Sequence, residues 1–128
     1  MKTADASLIH AVARIAIACI WIWHGLVPKL LYSHIDERTM LMHLGTPLSL
    51  LPWIGAGEIL LGVLILSTWK IRAVLLANGV VMVLATVAVA ATSPGYLVAA
   101  FNPVTLNLGV IALSIVGWLA AGRLYAEK

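Results

Sequence analysis

Apolar residues run almost unbroken over residues 8–27, 53–69, 71–92 and 104–122, with short polar interruptions between the runs. One bilayer crossing takes about 20 predominantly apolar residues. The pattern therefore predicts an all-α, polytopic membrane protein: a four-transmembrane-helix bundle forming a single domain over residues 1–128. The first helix is expected to start after Asp5 or Ser7, either of which could cap its free N–H groups, and to end near Gly25–Pro28, where proline disfavours helical geometry at the residue before it. In YSHIDERTMLMHLGTP, residues 32–47, Ser33 followed by Asp36 resembles a capping box and Gly45 before Thr46 and Pro47 reads as a helix stop. Residues 35–44 are thus expected to form a short interfacial helix at the outer surface, with Leu41, Met42 and Leu44 inserted. The second helix runs from Pro52 or Trp53 to Trp69, with tryptophans at both interfaces. A few residues around Trp69–Arg72 join it to the third, which forces an antiparallel hairpin. The third helix ends at SPG, residues 93–95; the uncharged stretch 96–103 is expected to dip into the outer leaflet; the fourth helix follows Pro103 and stops at Gly122 and Arg123.

Composition sharpens this picture. Hydrophobic residues make up 62% of the chain and charged ones 10%, where soluble domains carry about 25% charged residues. So little lies outside the helices that any chemistry is expected between them, in short loops, or on a partner protein. Lys2 before an apolar run imitates a secretory signal, but Arg14 interrupts that run and no small-x-small cleavage site follows, so it reads as a retained first helix. A single cysteine, Cys19, excludes an internal disulfide or dithiol pair. Lys2, Arg14, Lys70, Arg72, Arg123 and Lys128 fall on one side of a four-crossing chain, against Lys29 and Arg38 on the other. By the positive-inside rule both termini are cytoplasmic in an inner membrane. The formal charge of +3 is thereby topological and gives no support for nucleic-acid binding.

Polar residues inside the helices are the exceptions that bear on function: Arg14, His24, Glu58, Asn78, Asn107 and Ser114. Ionisable groups in hydrocarbon are costly and usually face the protein interior or a wet cavity. At about 1.5 Å per residue, His24, Glu58 and Asn107 each lie about 6 to 9 Å inside the outer ends of their helices, in one layer. Arg14 and Asn78 form an inner layer, with Ser114 near it. At about 100° per residue, Arg14, Trp21, Gly25 and Pro28 make one stripe, expected to face the bundle, with His24 at its flank. Each residue has two readings. Arg14 either snorkels to headgroups or packs with Asn78. Glu58 is either a neutral hydrogen-bonded acid or a group that handles protons or touches a ligand. His24 either rests among Trp21 and Trp23 at the interface or pairs with Glu58 or a ligand. Lys29 either anchors the interface or attracts a ligand. No metal site is expected, because His34 and His43, nine residues apart, lie on opposite helix faces; a haem on His10 or His24 would need a homodimer for its second axial ligand.

RIAIACIWIWHGLVPKL, GAGEILLGVLIL and FNPVTLNLGVIALSIVG, in this order and spacing, resemble the DoxX-like family of small membrane proteins, over nearly the whole chain. The resemblance implies a four-helix bundle related in architecture to the vitamin K epoxide reductase type. Relatives include a subunit of a thiosulfate:quinone oxidoreductase, membrane parts of oxidoreductase complexes, and domains fused to NAD(P)-binding proteins. This chain lacks the paired cysteines of the epoxide reductases and any nucleotide-binding glycine loop, so a hydride carrier would sit on a partner. The expectation is a membrane component of a redox system that has no intrinsic cofactor and binds a small hydrophobic molecule, a quinone, in the outer half of the bundle. The residues expected at that site are His24, Glu58, Asn107, Lys29 and Trp21. A non-catalytic scaffold subunit is the alternative; a small transporter fits less well, because its essential carboxylate is expected in the first helix and here lies in the second. Glycines and alanines on the third and fourth helices predict self-association.

Overall fold

The computed structural model describes residues 3–126 and is helical almost throughout, with no strand among the described residues. Helix α1 (Thr3–His24) continues directly as a π-helix over Gly25–Leu31; α2 (Ile35–His43), α3 (Leu51–Ser67), α4 (Ile71–Thr92) and α5 (Pro103–Ala126) follow, with 3-10 turns at Leu48–Leu50 and Pro94–Leu97. Four segments are long and apolar enough to cross a membrane: Thr3–Leu31, Leu48–Ser67, Ile71–Thr92 and Pro103–Ala126. The expected four-helix membrane bundle with a short helix between its first two spans is what the chain forms. Lys2 and Lys128, used above for the charge count, lie outside the described residues.

Several boundaries differ from the sequence reading. The first helix already includes Asp5 in its first turn, and it does not end at Gly25–Pro28 but runs on to Leu31. In this π-helical stretch the wide turn closes through bonds such as Tyr32 N–H to Val27 O (3.1 Å), so the N–H that Pro28 lacks is bypassed. Helix α2 is capped by His34, whose side chain accepts from Asp36 N–H, not by Ser33, which has a positive φ of 45°. At the other end of α2 the expected stop holds: Gly45 has φ 67°, and Gly45 N–H to Met42 O (3.0 Å) with Thr46 N–H to Leu41 O (3.0 Å) form a Schellman closure. Of the three residues expected to be inserted, Leu41 is buried within the protein, whereas Met42 and Leu44 are exposed on its surface.

Helix α1 packs against both α3 and α5, and α4 packs against α5. The tight turn with left-handed Thr68 and Lys70 does reverse the chain, but the helices it joins, α3 and α4, meet only weakly. Ile17, Ile65, Leu75 and Val110 form the fully buried centre. Within a bilayer, hydrocarbon gains little by moving from lipid to protein, so helices associate through close packing and interhelical hydrogen bonds. Glycine provides the close packing between α1 and α3. A Cβ on Gly25 would land on Gly55 O; one on Gly55 would sit 2.7 Å from Gly25 O, and one on Gly62 2.7 Å from Ile22 Cγ1.

Candidate functional site

The Gly25–Gly55 crossing draws the π-helical stretch onto α3 and so fixes the neighbourhood of Glu58. Lys29, one wide turn beyond His24, is buried (6% exposed) with its ammonium 3.0 Å from Glu58 Oε2 and 3.1 Å from Glu37 Oε1 of α2. It also donates a long bond of 3.5 Å to the backbone oxygen of His24. The contact with Glu58 is an ion pair, and the Oε2 that makes it is fully enclosed. Asn107 of α5 donates to Thr86 Oγ1 of α4 (3.1 Å), which donates in turn to Met82 O (2.8 Å).

Lys29, Glu37, Glu58 and Asn107 line a cavity of about 900 Å³ bounded by α1, α3, α4, α5 and α2. Trp21, His24, Lys29, Glu58 and Asn107 all line it, so the five residues expected to share a site do converge. They do not, however, bond to one another as expected: His24 makes no side-chain hydrogen bond to Glu58 or Asn107 among the described residues, and the partner that Glu58 finds is Lys29. Most of the remaining wall is apolar, with Ile20, Leu61, Met82 and Val110 among it. A largely apolar lining with a few polar groups is the usual character of a small-molecule site.

The inner layer is built differently. Trp21 Nε1–H donates to Asn78 Oδ1 (2.6 Å), Asn78 Nδ2 to Ser114 Oγ (2.7 Å), and Ser114 Oγ to Val110 O (2.7 Å), a continuous chain across α1, α4 and α5. Arg14 takes no part in it. Of its two readings, packing with Asn78 is not found: Arg14 Nε bonds Ile65 O (2.9 Å) and Nη2 bonds Leu66 O (2.6 Å), which satisfies carbonyls left open in the last turn of α3. His10 likewise spends a buried ring nitrogen on Gly117 O (3.1 Å); a carbonyl only accepts, so Nδ1 carries the proton.

Three polar contacts hold α2 over the cavity. Besides the Lys29–Glu37 pair, Tyr96 O–H donates to Asp36 Oδ1 (2.9 Å) and His43 Nδ1 bonds Ser93 Oγ (2.8 Å). Desolvation, the hydrogen bond it donates to Asp36 and the nearby charges of Asp36 and Glu37 together push the Tyr96 phenol above its ordinary pKa. Glu37, Thr86, Tyr96 and Ser93 escaped the sequence reading. The one available signal was the acidic pair Asp36–Glu37 in a segment otherwise read as lying flat on the membrane.

No curated protein and no solved structure matches this chain. The family model that describes the DoxX-like family matches residues 18–115, a span that takes in His24, Lys29, Glu58, Asn78 and Asn107 and stops just beyond Ser114. With four membrane-spanning helices and a match over most of its length, the chain belongs to the DoxX-like family.

Proposed function

We propose that the cavity binds a small hydrophobic molecule with a polar head, a quinone, and that the chain is a membrane component of a redox system. The observation that carries this reading is that Lys29, Glu58, His24 and Asn107 all line one largely apolar space of about 900 Å³. Quinone carbonyls accept hydrogen bonds, which the Lys29 ammonium and the Asn107 amide are equipped to donate; the Trp21 ring offers a flat apolar wall. The electron-carrying partner, NAD(P)-dependent or of another kind, is a separate protein. The system sits in the inner membrane with both termini in the cytoplasm and the cavity in the outer half of the bundle.

Purification in mild detergent followed by mass spectrometry of bound small molecules and co-purifying proteins tests the reading directly. His24→Ala and Glu58→Gln are expected to weaken binding of a short-tailed quinone at least about tenfold, which is 1.4 kcal/mol, without loss of membrane insertion. Trp23→Phe, at a site that is 65% exposed and outside the cavity, is expected to leave it unchanged. The scaffold reading draws on the Trp21–Asn78–Ser114 chain, which needs no ligand to satisfy it. A wild-type protein that captures partner proteins but no quinone favours that second reading.

A further inference from the structure

We propose that the occupant enters sideways from the bilayer, through the seam between α3 and α4, and that it carries a long apolar tail which lies in that seam past Gly57 while its head meets Lys29 and Glu58. This rests on the binding reading above and adds the tail and its route.

Along α3, Ile54, Gly57 and Leu61 repeat three and four residues apart; along α4, Val81, Ala85 and Val89 repeat every four. Stripes of this spacing on consecutive antiparallel helices ordinarily interlock. Here both line the cavity, and α3 and α4 meet only weakly. Both helices span the membrane, so a gap between them at mid-helix depth faces hydrocarbon. Towards α2 the cavity is covered instead: Glu37 is tied to Lys29 and Asp36 to Tyr96.

Gly57 marks the opening. Gly55 and Gly62 on the same helix are pressed against α1, yet a Cβ on Gly57 would meet nothing within 4 Å. Helix packing therefore does not require glycine at position 57, and the missing side chain keeps the wall of the seam low. Water does not fill a space lined by hydrocarbon. A lipid-like chain does, and because its transfer from the bilayer gains little, what it gains is contact with the two stripes.

The test uses the whole chain in lipid nanodiscs with two probes that share one benzoquinone head: one without a tail, one with a long isoprenoid tail bearing a diazirine at its middle. Irradiation is expected to attach the tailed probe to Leu61, Val81 or Ala85. Gly57→Trp is expected to lower the ratio of tailed to tailless affinity at least about tenfold, whereas Leu60→Trp, three residues along at an exposed position outside the cavity lining, leaves the ratio unchanged. Attachment confined to Met40 or Phe101, or a ratio unmoved in a Gly57→Trp protein that melts like the wild type, overturns the lateral route while the quinone reading stands. Should Gly57→Trp fail to fold, the attachment map of the wild-type protein decides. If neither probe binds the wild type, the quinone reading falls and this inference falls with it.

Discussion

Asn78 is wholly enclosed, and both ends of its amide are engaged, one by an indole and one by a hydroxyl. Asn78→Leu keeps the volume but strands the Trp21 N–H in an apolar interior. Leaving a buried donor unpaired costs about 1–3 kcal/mol, so the variant is expected to unfold at lower denaturant in detergent, with a change in tryptophan emission. Tyr96 makes a prediction of opposite pH sense to the usual acid loss. Its folded-state pKa is raised, so its contribution is fully present below the unfolded value of about 10 and fades as pH rises through the folded value. A scan of melting temperature across alkaline pH is expected to fall less steeply in Tyr96→Phe than in the wild type. Depth along the helices made the two polar layers legible in the sequence, because position within an apolar run needs no knowledge of the partner. It did not make Arg14 legible: backbone carbonyls at the end of α3 are its partners, and they leave no trace in residue identity. Lys29 was expected at the site, but its burial between two carboxylates was not legible, since a helix expected to stop at Pro28 leaves the next residue at the surface.

Among the elements, α3 depends most on two of its glycines. Gly55→Ala would force a methyl group against Gly25 O at 2.7 Å and Lys29 Cβ at 3.0 Å. Overpacking of this kind costs about 1–3 kcal/mol, and by pushing the π-helical stretch off α3 it is also expected to weaken quinone binding, so melting and affinity should fall together. Gly57→Ala, with open space around it, is expected to melt within about 1 kcal/mol of the wild type, the ordinary difference in helix propensity. The hydrophobic runs predicted α3 and α4 as neighbours joined by a short turn, which is correct along the chain. That they stand apart could not be read there, because apolar faces that pack and apolar faces that line a cavity have the same periodicity.

Across the whole molecule the two ends of the bundle are chemically distinct. Arg14 and Arg72 lie at the end that holds the termini and the Thr68–Lys70 turn, with Arg72 stacked 4.5 Å over Trp118. At the α2 end Lys29 is balanced by two carboxylates, which makes the asymmetry of basic charge steeper than a bare count suggests. Reporters fused at Gly45 and at the C-terminus are expected to appear in opposite compartments, the C-terminal one in the cytoplasm. Two reporters on one side contradict the four-crossing topology. Self-association, suggested by small residues on the last two spans, is expected to give a particle larger than one chain by light scattering in several detergents. The π-helical stretch Gly25–Leu31 makes the first span unequally sensitive to length. A π turn holds one more residue than an α turn, so a single residue lost within this stretch can be taken up by a return to α-helical spacing, with the residues beyond keeping nearly the same facing. A residue gained or lost within α1, where no wide turn absorbs it, would turn Lys29 by about 100° relative to the start of the helix. Lys29 would then swing away from Glu58 without any change in its own identity, so the charged pair depends on residue count as well as on residue type.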